Sequence, residues 1–325
     1  MAFSADQLLE KVNTYLATMP YVREPKGLYA PIEYVLSLGG KRIRPVLMLL
    51  SYQLYKENVD DILPQAAGIE TYHNYTLLHD DLMDRADMRR NKPTVHKVWD
   101  ENTAILSGDA MLVLAYRLMN NCPERYLKQV MDIFSQTALE ICEGQQWDME
   151  FETRNDVTVP EYMEMIRLKT SVLLSAALKI GAVLGGASED DARKLYDFGI
   201  KMGLAFQLQD DYLDVYGDSK VFGKNIGGDI LCNKKTFMLI NALALADGIQ
   251  RKELEKWIAS TAFCPEEKIK AVTALYDKIG IGGICEEKIN AYYVEGLSLL
   301  ESMAVPSERK EELKSFVCHL MNRKV

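Results

Sequence analysis

Two short acidic stretches carry the residues whose types and spacing are best suited to chemistry. They read HDDLMD at residues 79–84 and QDDYLD at residues 209–214. Both stretches lie on helical patterns, in which residues four apart share one face, so the first and last aspartate of each cluster point the same way. The six aspartates of the two clusters are Asp80, Asp81, Asp84, Asp210, Asp211 and Asp214.

Each cluster is predicted to lie near the C-terminus of its helix, where negative charge is unfavourable. Asn91-Lys92-Pro93 ends the first helix and Gly217 ends the second. The helix dipole makes this end negative. Like charges about 4 Å apart also repel by about 1 kcal/mol even in water. A solvated acidic face would explain one such cluster, but two clusters, each followed by basic residues, favour a bound cation.

Carboxylate oxygens are hard ligands that suit Mg²⁺, which proteins usually share with a substrate phosphate. We therefore expect the two clusters to face each other across a cavity and to hold Mg²⁺ and a diphosphate. A basic segment, GGKRIRP at residues 39–45, begins an apolar helix before the first cluster. Free N–H groups at a helix start and bidentate guanidinium groups bind phosphate well, so Lys41, Arg42 and Arg44 predict an anion site, with an ordinary basic cap as the alternative.

Helical spacing of apolar residues along nearly the whole chain predicts an all-α fold. Pro and Gly punctuate the chain into about ten helices, and Ser4, Thr158 and Ser188 have the spacing of N-terminal caps. The chain has 325 residues, of which 48% are apolar, enough for a large core. Because no linker of biased composition interrupts it, we predict a single domain over residues 1–325.

Composition excludes several classes of protein. The net charge is −9, and the absence of a Lys/Arg-rich run argues against nucleic-acid binding. Six cysteines without a CxxC pair are typical of reduced thiols. The N-terminus lacks a secretory pattern, and the most apolar segments are too short or are interrupted by Lys179. We expect a cytoplasmic protein without a membrane span.

The ordered set of motifs between about residues 38 and 237 resembles the trans-prenyltransferase family, the polyprenyl diphosphate synthases. The set comprises GGKRIRP, DDLMD followed by RR, LKTS, QLQDDYLD, FGK and DILCNKKT. The resemblance implies an all-α bundle of the isoprenoid-synthase type around a deep central cavity, usually as a homodimer. It also implies head-to-tail joining of isopentenyl diphosphate to an allylic diphosphate of 5, 10 or 15 carbons, with three Mg²⁺ ions at the site.

The resemblance also implies a role for each site residue. Asp80, Asp84 and Asp210 would bind Mg²⁺, supported directly or through water by Asp81, Asp211 and Asp214. The allylic diphosphate would be held by Arg89, Lys169 and Lys224, and the isopentenyl diphosphate by Lys41, Arg44, His73 and Arg90. Thr170 and Gln207 would flank the allylic carbon, and Lys234 would lie near the metal and leaving group.

Product length is predicted from the residues that precede the first cluster. Tyr75 lies five residues before Asp80, hence about 7 to 8 Å deeper along a helix. Its ring could form the floor that stops elongation, or it could be an ordinary core aromatic. In the family an aromatic residue here accompanies products of 15 or 20 carbons, and the two-residue spacing within the first cluster favours geranylgeranyl diphosphate. Thr76, beside it, is not bulky.

Two positions depart from the family pattern. Asn91 and Asn233 stand where the family often has Gly. Because Asn tolerates a left-handed backbone better than most residues, we expect both turns to persist.

Three rival functions are weaker. A terpene cyclase usually has a different second metal motif and no second diphosphate site. A non-catalytic partner subunit typically lacks aspartates from one cluster. A Ca²⁺-binding helical protein would need a loop of alternating oxygen ligands.

Overall fold

The computed structural model describes residues 3–21, 23–217 and 226–321, and nearly all of its regular structure is helical. The predicted fold class, all-α, is therefore confirmed. The helices up to residue 153 are α1 Ala5–Thr18, α2 Lys26–Ser37, α3 Ile43–Gln53, α4 Leu63–Met83, α5 Val95–Val98, α6 Glu101–Met119 and α7 Glu124–Thr153. Between α4 and α5 lie two short strands, β1 Met88–Arg89 and β2 Lys92–Pro93.

The second half of the chain continues as helices. These are α8 Val159–Ile166, α9 Val172–Gly185, α10 Glu189–Tyr216, α11 Gly228–Leu231, α12 Phe237–Leu245, α13 Gly248–Ala259, α14 Pro265–Ile279, α15 Ile281–Glu301 and α16 Ser307–Met321. A short 3-10 helix, Val59–Ile62, precedes α4, and a π-helical segment, Arg167–Ser171, joins α8 to α9.

Local side-chain hydrogen bonds fix several helix starts. Ser4 forms a reciprocal capping box with Gln7, and Thr158 forms one with Glu161. The Ser188 hydroxyl accepts a hydrogen bond from the Asp191 N–H at 3.1 Å. All three caps were predicted from sequence spacing, and each satisfies backbone donors that a helix start leaves without partners.

By its internal contacts the chain divides into two compact units. Unit 1 comprises Met1–Gln136, Ala176–Tyr196 and Ala304–Leu313; unit 2 comprises Thr137–Ser175, Asp197–Met303 and Lys314–Val325. Each unit gathers segments that are distant in sequence, so no single linker separates them. One domain over residues 1–325 stays a prediction.

In unit 1, helix α4 packs closely against α6. A Cβ added at Gly68 of α4 would lie 3.0 Å from the Leu118 Cβ of α6, so the glycine permits this approach. The unit contains a buried apolar cluster that includes Ile32, Leu78 and Met111. This packing holds α4, the helix of the first aspartate cluster, in place.

Unit 2 is built around the C-terminal half of α10. Its apolar cluster includes Tyr162, Leu208, Phe237 and Tyr276. The stretch Val159–Gly185 is the one helical segment among the described residues that is long and apolar enough to cross a membrane, but 83% of its most apolar window is buried inside the protein. Burial to this extent is typical of a helix in the core of a protein.

Candidate active site

The first aspartate cluster lies at the C-terminus of α4, as predicted. The helix ends at Met83, and Asp84 is its C-cap residue, whose N–H donates to the Asp80 carbonyl at 2.9 Å. Asp81 is buried, Asp80 is half-buried and Asp84 is exposed. The three carboxylates therefore range from the protein interior to the surface over one turn of helix.

Arg89 provides the positive charge that compensates the Asp81 carboxylate. Its Nε lies 2.8 and 3.0 Å from the two Asp81 oxygens, and its Nη2 lies 2.6 Å from Oδ1. The same Nη2 is 3.7 Å from an Asp80 oxygen. Burial raises the pKa of Asp81 and the Asp80 charge adds to this, whereas the Arg89 guanidinium opposes it. The first cluster is thus compensated in part by a cation.

The β1–β2 hairpin positions Arg89. Met88 pairs with Pro93 and Arg89 with Lys92, and the two turn residues between them, Arg90 and Asn91, have φ angles of 51° and 61°. Two left-handed residues in a two-residue turn match the twist of a hairpin. The predicted left-handed tolerance of Asn91 is confirmed.

A cationic cluster in the same unit surrounds His73. Arg44 Nη1 lies 3.2 Å from His73 Nε2, and because arginine only donates, this ring nitrogen accepts and the ring is neutral. Burial lowers the pKa of His73 well below its usual value, and the charges of Arg44 and Arg90 lower it further. Burial also lowers the pKa of Arg44 to about 10. The Arg44 Nε is buried without a hydrogen-bond partner among the described residues, which leaves a donor for an anion.

The Arg90 side chain contacts the glycine pair that precedes α3, Gly39 and Gly40. Arg90 Nη1 donates to the Gly39 carbonyl, and a Cβ added at Gly40 would lie 2.7 Å from Arg90 Nη2. Gly40 also has a φ of 128°, which side-chain-bearing residues rarely adopt. The backbone conformation requires glycine here, and its lack of a side chain leaves room for the Arg90 guanidinium. Lys41 is exposed on the same turn.

Arg42 does not belong to the anion site, which corrects the prediction from sequence. It is buried and forms an ion pair with Glu70 at 2.7 Å. Its Nη2 donates to the Leu36 carbonyl at 2.6 Å, and its Nε donates to the Asn13 amide oxygen at 3.3 Å. Because these contacts occupy the guanidinium inside the protein, Arg42 fixes the start of α3. Glu70 was not predicted as this partner, because in the sequence it is only a charged residue on an apolar helix.

The second aspartate cluster lies at the C-terminus of α10, again as predicted. Asp211 is buried, and its two oxygens accept hydrogen bonds from neutral donors: the Tyr162 hydroxyl and the Gln207 amide, the latter at 3.2 Å. Burial raises the pKa of Asp211 to about 7, and Asp229 adds to the rise, whereas Tyr162 and Lys234 lower it. Nothing in the sequence motif singled out Tyr162.

Asp214 is held by the segment that starts α11. One of its oxygens accepts a hydrogen bond from the Asp229 N–H at 3.0 Å, and its carbonyl accepts from the Gly227 N–H. Gly227 has a φ of 84°. Burial raises the pKa of Asp214 and the Asp229 charge adds to it. Sequence reasoning missed Asp229, although the preceding glycine pair marked a turn there.

The π-helical segment Arg167–Ser171 carries Lys169 and Thr170. Two glycines allow other helices to approach it closely. A Cβ added at Gly144 of α7 would lie 2.4 Å from the Lys169 backbone nitrogen, and one at Gly203 of α10 would lie 2.6 Å from the Ser171 Cα. Single π turns inside α-helices frequently mark functional sites. This geometry therefore supports the assignment of both residues to the site.

Side chains of the π segment meet partners on α7 and α10. Lys169 Nζ lies 2.6 Å from an Asp148 oxygen, and Thr170 Oγ1 donates to Gln207 Oε1 at 3.2 Å. Because the Gln207 amide nitrogen bonds Asp211, its oxygen is directed to Thr170. The structure thus brings together the predicted pair Thr170 and Gln207. Asp148 lies on the long polar helix α7 and was not predicted from its sequence context.

The residues predicted to limit product length, Tyr75 and Thr76, lie on α4 on the N-terminal side of the first aspartate cluster. Tyr75 is half-buried, with its ring centroid 5.4 Å from that of Tyr72 and 4.9 Å from that of His79. The Thr76 hydroxyl donates to the His73 carbonyl at 2.8 Å. Tyr75 is therefore part of an aromatic group. Its role as a floor stays a prediction.

The donor chemistry of both clusters fits a divalent cation. Carboxylates whose charge is disfavoured by burial and by like-charged neighbours gain most from a hard cation. Over residues 3–21, 23–217 and 226–321, no three acidic, His or Cys side chains converge in a preassembled metal site. Lys224 lies outside the described residues, and Lys234 is exposed, so their roles, like the number of ions, stay predictions.

A helical protein that combines aspartates at two helix ends with a cationic group built for an anion has the features of a metal-assisted enzyme acting on diphosphates. The family model described as polyprenyl synthetase matches residues 25–276. The chain therefore belongs to the polyprenyl synthetase family, and it is a prenyltransferase. The resemblance and the enzyme class predicted from the motifs are confirmed.

Characterised relatives agree with this assignment. A short chain isoprenyl diphosphate synthase of Methanocaldococcus jannaschii is 41% identical over 84% of this chain and 83% of the relative. A geranylgeranyl diphosphate synthase of Methanosarcina mazei is 46% identical over 68% and 69% of the two chains. A crystal structure of a geranylgeranyl pyrophosphate synthase superposes with a TM-score of 0.91 at 45% identity, covering 98% of each chain.

Proposed function

We propose that this chain is a short-chain isoprenyl diphosphate synthase that joins isopentenyl diphosphate to an allylic diphosphate in a Mg²⁺-dependent reaction. One observation carries the proposal. The buried, unpartnered Arg44 Nε belongs to a cationic group around neutral His73, in the same unit as the first aspartate cluster. An anion with several charges fits such surroundings better than a neutral substrate.

The reaction would begin with ionisation of the allylic C–O bond, which leaves diphosphate and a delocalised carbocation. Negative charge would then grow on the leaving group, where the cations proposed to hold the allylic diphosphate, Arg89, Lys169 and Lys224, would stabilise it. Bound Mg²⁺ would supply Lewis-acid stabilisation of the same charge. No protein nucleophile is needed.

The π segment provides a polar surface for the carbocation. The Gln207 oxygen is fixed toward Thr170 because its amide nitrogen donates to Asp211. An oriented carbonyl oxygen next to a hydroxyl can stabilise developing positive charge without forming a bond. These two residues would flank the allylic carbon while the isopentenyl double bond attacks it.

The isopentenyl diphosphate would be held by the cations around His73. Arg44 and Arg90 offer charged donors, and Lys41 lies exposed on the same turn. With Nε2 accepting from Arg44, neutral His73 carries its proton on Nδ1 and can donate that N–H to a phosphate oxygen. After condensation a proton would leave to the released diphosphate.

The proposed product is geranylgeranyl diphosphate, with 20 carbons, and farnesyl diphosphate, with 15, is the alternative. Relatives that are named geranylgeranyl diphosphate synthase support a product of 20 carbons over one of 15. We further propose that the chain acts as a homodimer in the cytoplasm. In this proposal it binds no nucleic acid and has no membrane-spanning segment.

The test is a product assay. Purified protein would be incubated with Mg²⁺, isopentenyl diphosphate and a primer of 5, 10 or 15 carbons in turn, and the product mass would be measured. A 20-carbon diphosphate from all three primers is expected. A cyclised hydrocarbon formed from geranylgeranyl diphosphate alone would indicate a terpene cyclase, and no turnover without a second protein would indicate a partner subunit.

Tyr75→Ala tests the floor of the cavity in the same assay. Removal of the ring should extend the product beyond 20 carbons. The product could then reach the residues one turn earlier on α4, which lie about 5.4 Å deeper. Thr76→Ala is the matched control, because it removes little volume at the next position. An unchanged product distribution in Tyr75→Ala would contradict the role of Tyr75.

A further inference from the structure

The loop between α11 and α12, residues 232–236, carries Lys234 and is tightly bonded to its surroundings. The Lys234 N–H donates to the Asp229 carbonyl at 2.9 Å, and the Thr236 N–H donates to the Lys234 carbonyl at 2.8 Å. The Thr236 hydroxyl then caps α12 by accepting from the Leu239 N–H at 3.3 Å. The backbone on either side of Lys234 is therefore fixed.

Asn233 does more in this loop than adopt a backbone conformation that suits glycine, because its side chain also forms hydrogen bonds. It has a φ of 52°, so glycine would suit the backbone. Its side chain, however, makes two contacts that glycine lacks. The amide nitrogen donates to the Ile258 carbonyl at 3.1 Å, and the amide oxygen accepts from Lys268 Nζ at 2.7 Å.

Lys268 is a buried lysine whose contacts are directed at this loop. Only 1% of the residue is exposed, and Nζ also donates to the Leu231 carbonyl at 3.3 Å and lies 4.2 Å from the Phe263 ring centroid. It forms no ion pair with any residue in the described part of the chain. A buried ammonium is costly unless hydrogen-bonded, so these loop oxygens determine where it can lie.

The helix that carries Lys268, α14, also contacts the start of α11. Gly227 has a φ of 84°, and a Cβ added to it would lie 2.6 Å from both Cδ1 and Cγ1 of Ile269, so glycine permits this approach. Neighbouring residues of α14 thus hold both ends of the segment 227–233. Within that segment lies Asp229, whose N–H bonds Asp214 and whose carbonyl accepts from Lys234.

The loop lies close to the second aspartate cluster. The charge of Lys234 lowers the pKa of Asp211 and Asp214, and Lys234, Lys268, Asp211 and Asp229 line one pocket of unit 2. A displacement of the loop would therefore move a cation relative to carboxylates that are proposed to serve the reaction.

We propose that Lys268 is a positioning residue, which acts through its hydrogen bond to Asn233 to fix Lys234 beside the second aspartate cluster. The role of Lys234 in turnover rests on the proposed function, whereas the placement of the loop does not. Misplacement by about 1 Å can cost up to about 100-fold in rate, so loss of the Lys268–Asn233 pair should lower kcat. The KM for isopentenyl diphosphate should not change, because its proposed ligands lie on other elements.

The experiment compares Lys268→Met with Lys270→Met, a matched control on the exposed side of the same helix. Methionine keeps the length and apolar stem but removes the donor. The substitution leaves the Asn233 amide oxygen and the Leu231 carbonyl without this donor and so lowers stability, and circular dichroism verifies that the variant is folded. We expect kcat to fall about 10-fold in Lys268→Met, with Lys270→Met at the wild-type value. Wild-type kcat in folded Lys268→Met would overturn the proposal.

A double-mutant cycle with Asn233→Gly identifies the contact that matters. If Lys268 acts through Asn233, Lys268→Met should cost about threefold or less in the Asn233→Gly background. An equal loss in both backgrounds would overturn the proposal. Should Lys268→Met not fold, Asn233→Gly alone removes the same contact from the acceptor side, and wild-type kcat in that variant would overturn the proposal.

Hydrogen exchange separates failure of this inference from failure of the proposed function. If the wild type makes no prenyl product, the proposed function is wrong, and the pair is judged by the amide of Lys234 alone. Its exchange should be faster in Lys268→Met than in the wild type and Lys270→Met. Equal protection in all three proteins would overturn the positioning role.

Discussion

The two aspartate clusters share one motif but are compensated differently. Asp81 in the first cluster pairs with the Arg89 guanidinium. Its counterpart Asp211 accepts hydrogen bonds from a tyrosine hydroxyl and an amide, and the nearby Asp229 adds further negative charge. The first site is thus balanced by a guanidinium in direct contact, and the second by neutral dipoles, with the charge of Lys234 opposing the rise in the pKa of Asp211. The same sequence pattern therefore produces two electrostatic environments, and the second depends more on an added cation.

Removal of one aspartate from either cluster should have the largest effect. Asp80→Ala and Asp210→Ala are each expected to reduce turnover by about 10³-fold or more, because each removes a proposed metal ligand. The measurement is product formation, with circular dichroism to verify the helical content. Asp87→Ala, which removes an exposed aspartate just beyond the first cluster, should retain activity. Near-wild-type turnover in either cluster variant would show that the two clusters are not equivalent in function.

Removal of the compensating donors should distinguish the clusters. Tyr162→Phe leaves Asp211 without its hydroxyl donor, and the Mg²⁺ concentration for half-maximal rate should rise about 10-fold. Arg89→Gln should instead raise the KM for the allylic primer, because Arg89 is also a proposed diphosphate ligand.

Tyr216→Phe is the matched control for the tyrosine, since it loses only an exposed hydrogen bond to Asp277. Identical kinetic changes in Tyr162→Phe and Arg89→Gln would remove the proposed difference between the clusters.

The pH dependence of stability should differ between the clusters in metal-free protein. Burial raises the pKa of Asp211 from 3.8 to about 7, so between these values the native state binds more protons than the unfolded state. Its contribution to the free energy of unfolding therefore falls as pH rises through that window. Asp211→Asn lacks this titration, so its Tm relative to wild type should be higher at pH 8 than at pH 5, by a few degrees.

Asp81→Asn is the comparison at the first cluster. Arg89 opposes the rise in the pKa of Asp81, so the shift of relative Tm between the two pH values should be smaller. Thermal unfolding in a chelator measures both variants. A larger shift for Asp81→Asn would contradict the assignment of the cation-compensated cluster.

The smallest effects are expected at the asparagines that follow the clusters. Asn91 is exposed and its side chain makes no hydrogen bond within the described residues, so Asn91→Gly should change the Tm by less than about 2 °C. Asn233→Gly loses two hydrogen bonds, each worth about 1 kcal/mol, and should lower the Tm by several degrees. Equal shifts in the two variants would show that the Asn233 contacts contribute little.

The spacing of apolar residues and the positions of Pro and Gly predicted much of the fold. The all-α class followed from apolar spacing, and the placement of both clusters at helix ends followed from Pro93 and Gly217. The positive φ angles of Asn91 and Asn233 followed from their side-chain chemistry. These features depend on local interactions, which a linear pattern contains. The prediction for Arg42 failed because its partner Glu70 is 28 residues away.

The sequence by itself determined the helices, the two acidic motifs and the family, because residue spacing along a helix decides which side chains share a face. Only the tertiary structure decided that Arg89 pairs with Asp81, that Tyr162 bonds Asp211 and that Lys268 holds Asn233. Each of these contacts joins residues on different elements, and burial then sets its strength. Packing distances and local dielectric arise only when the chain is folded, so no spacing along the sequence could specify them.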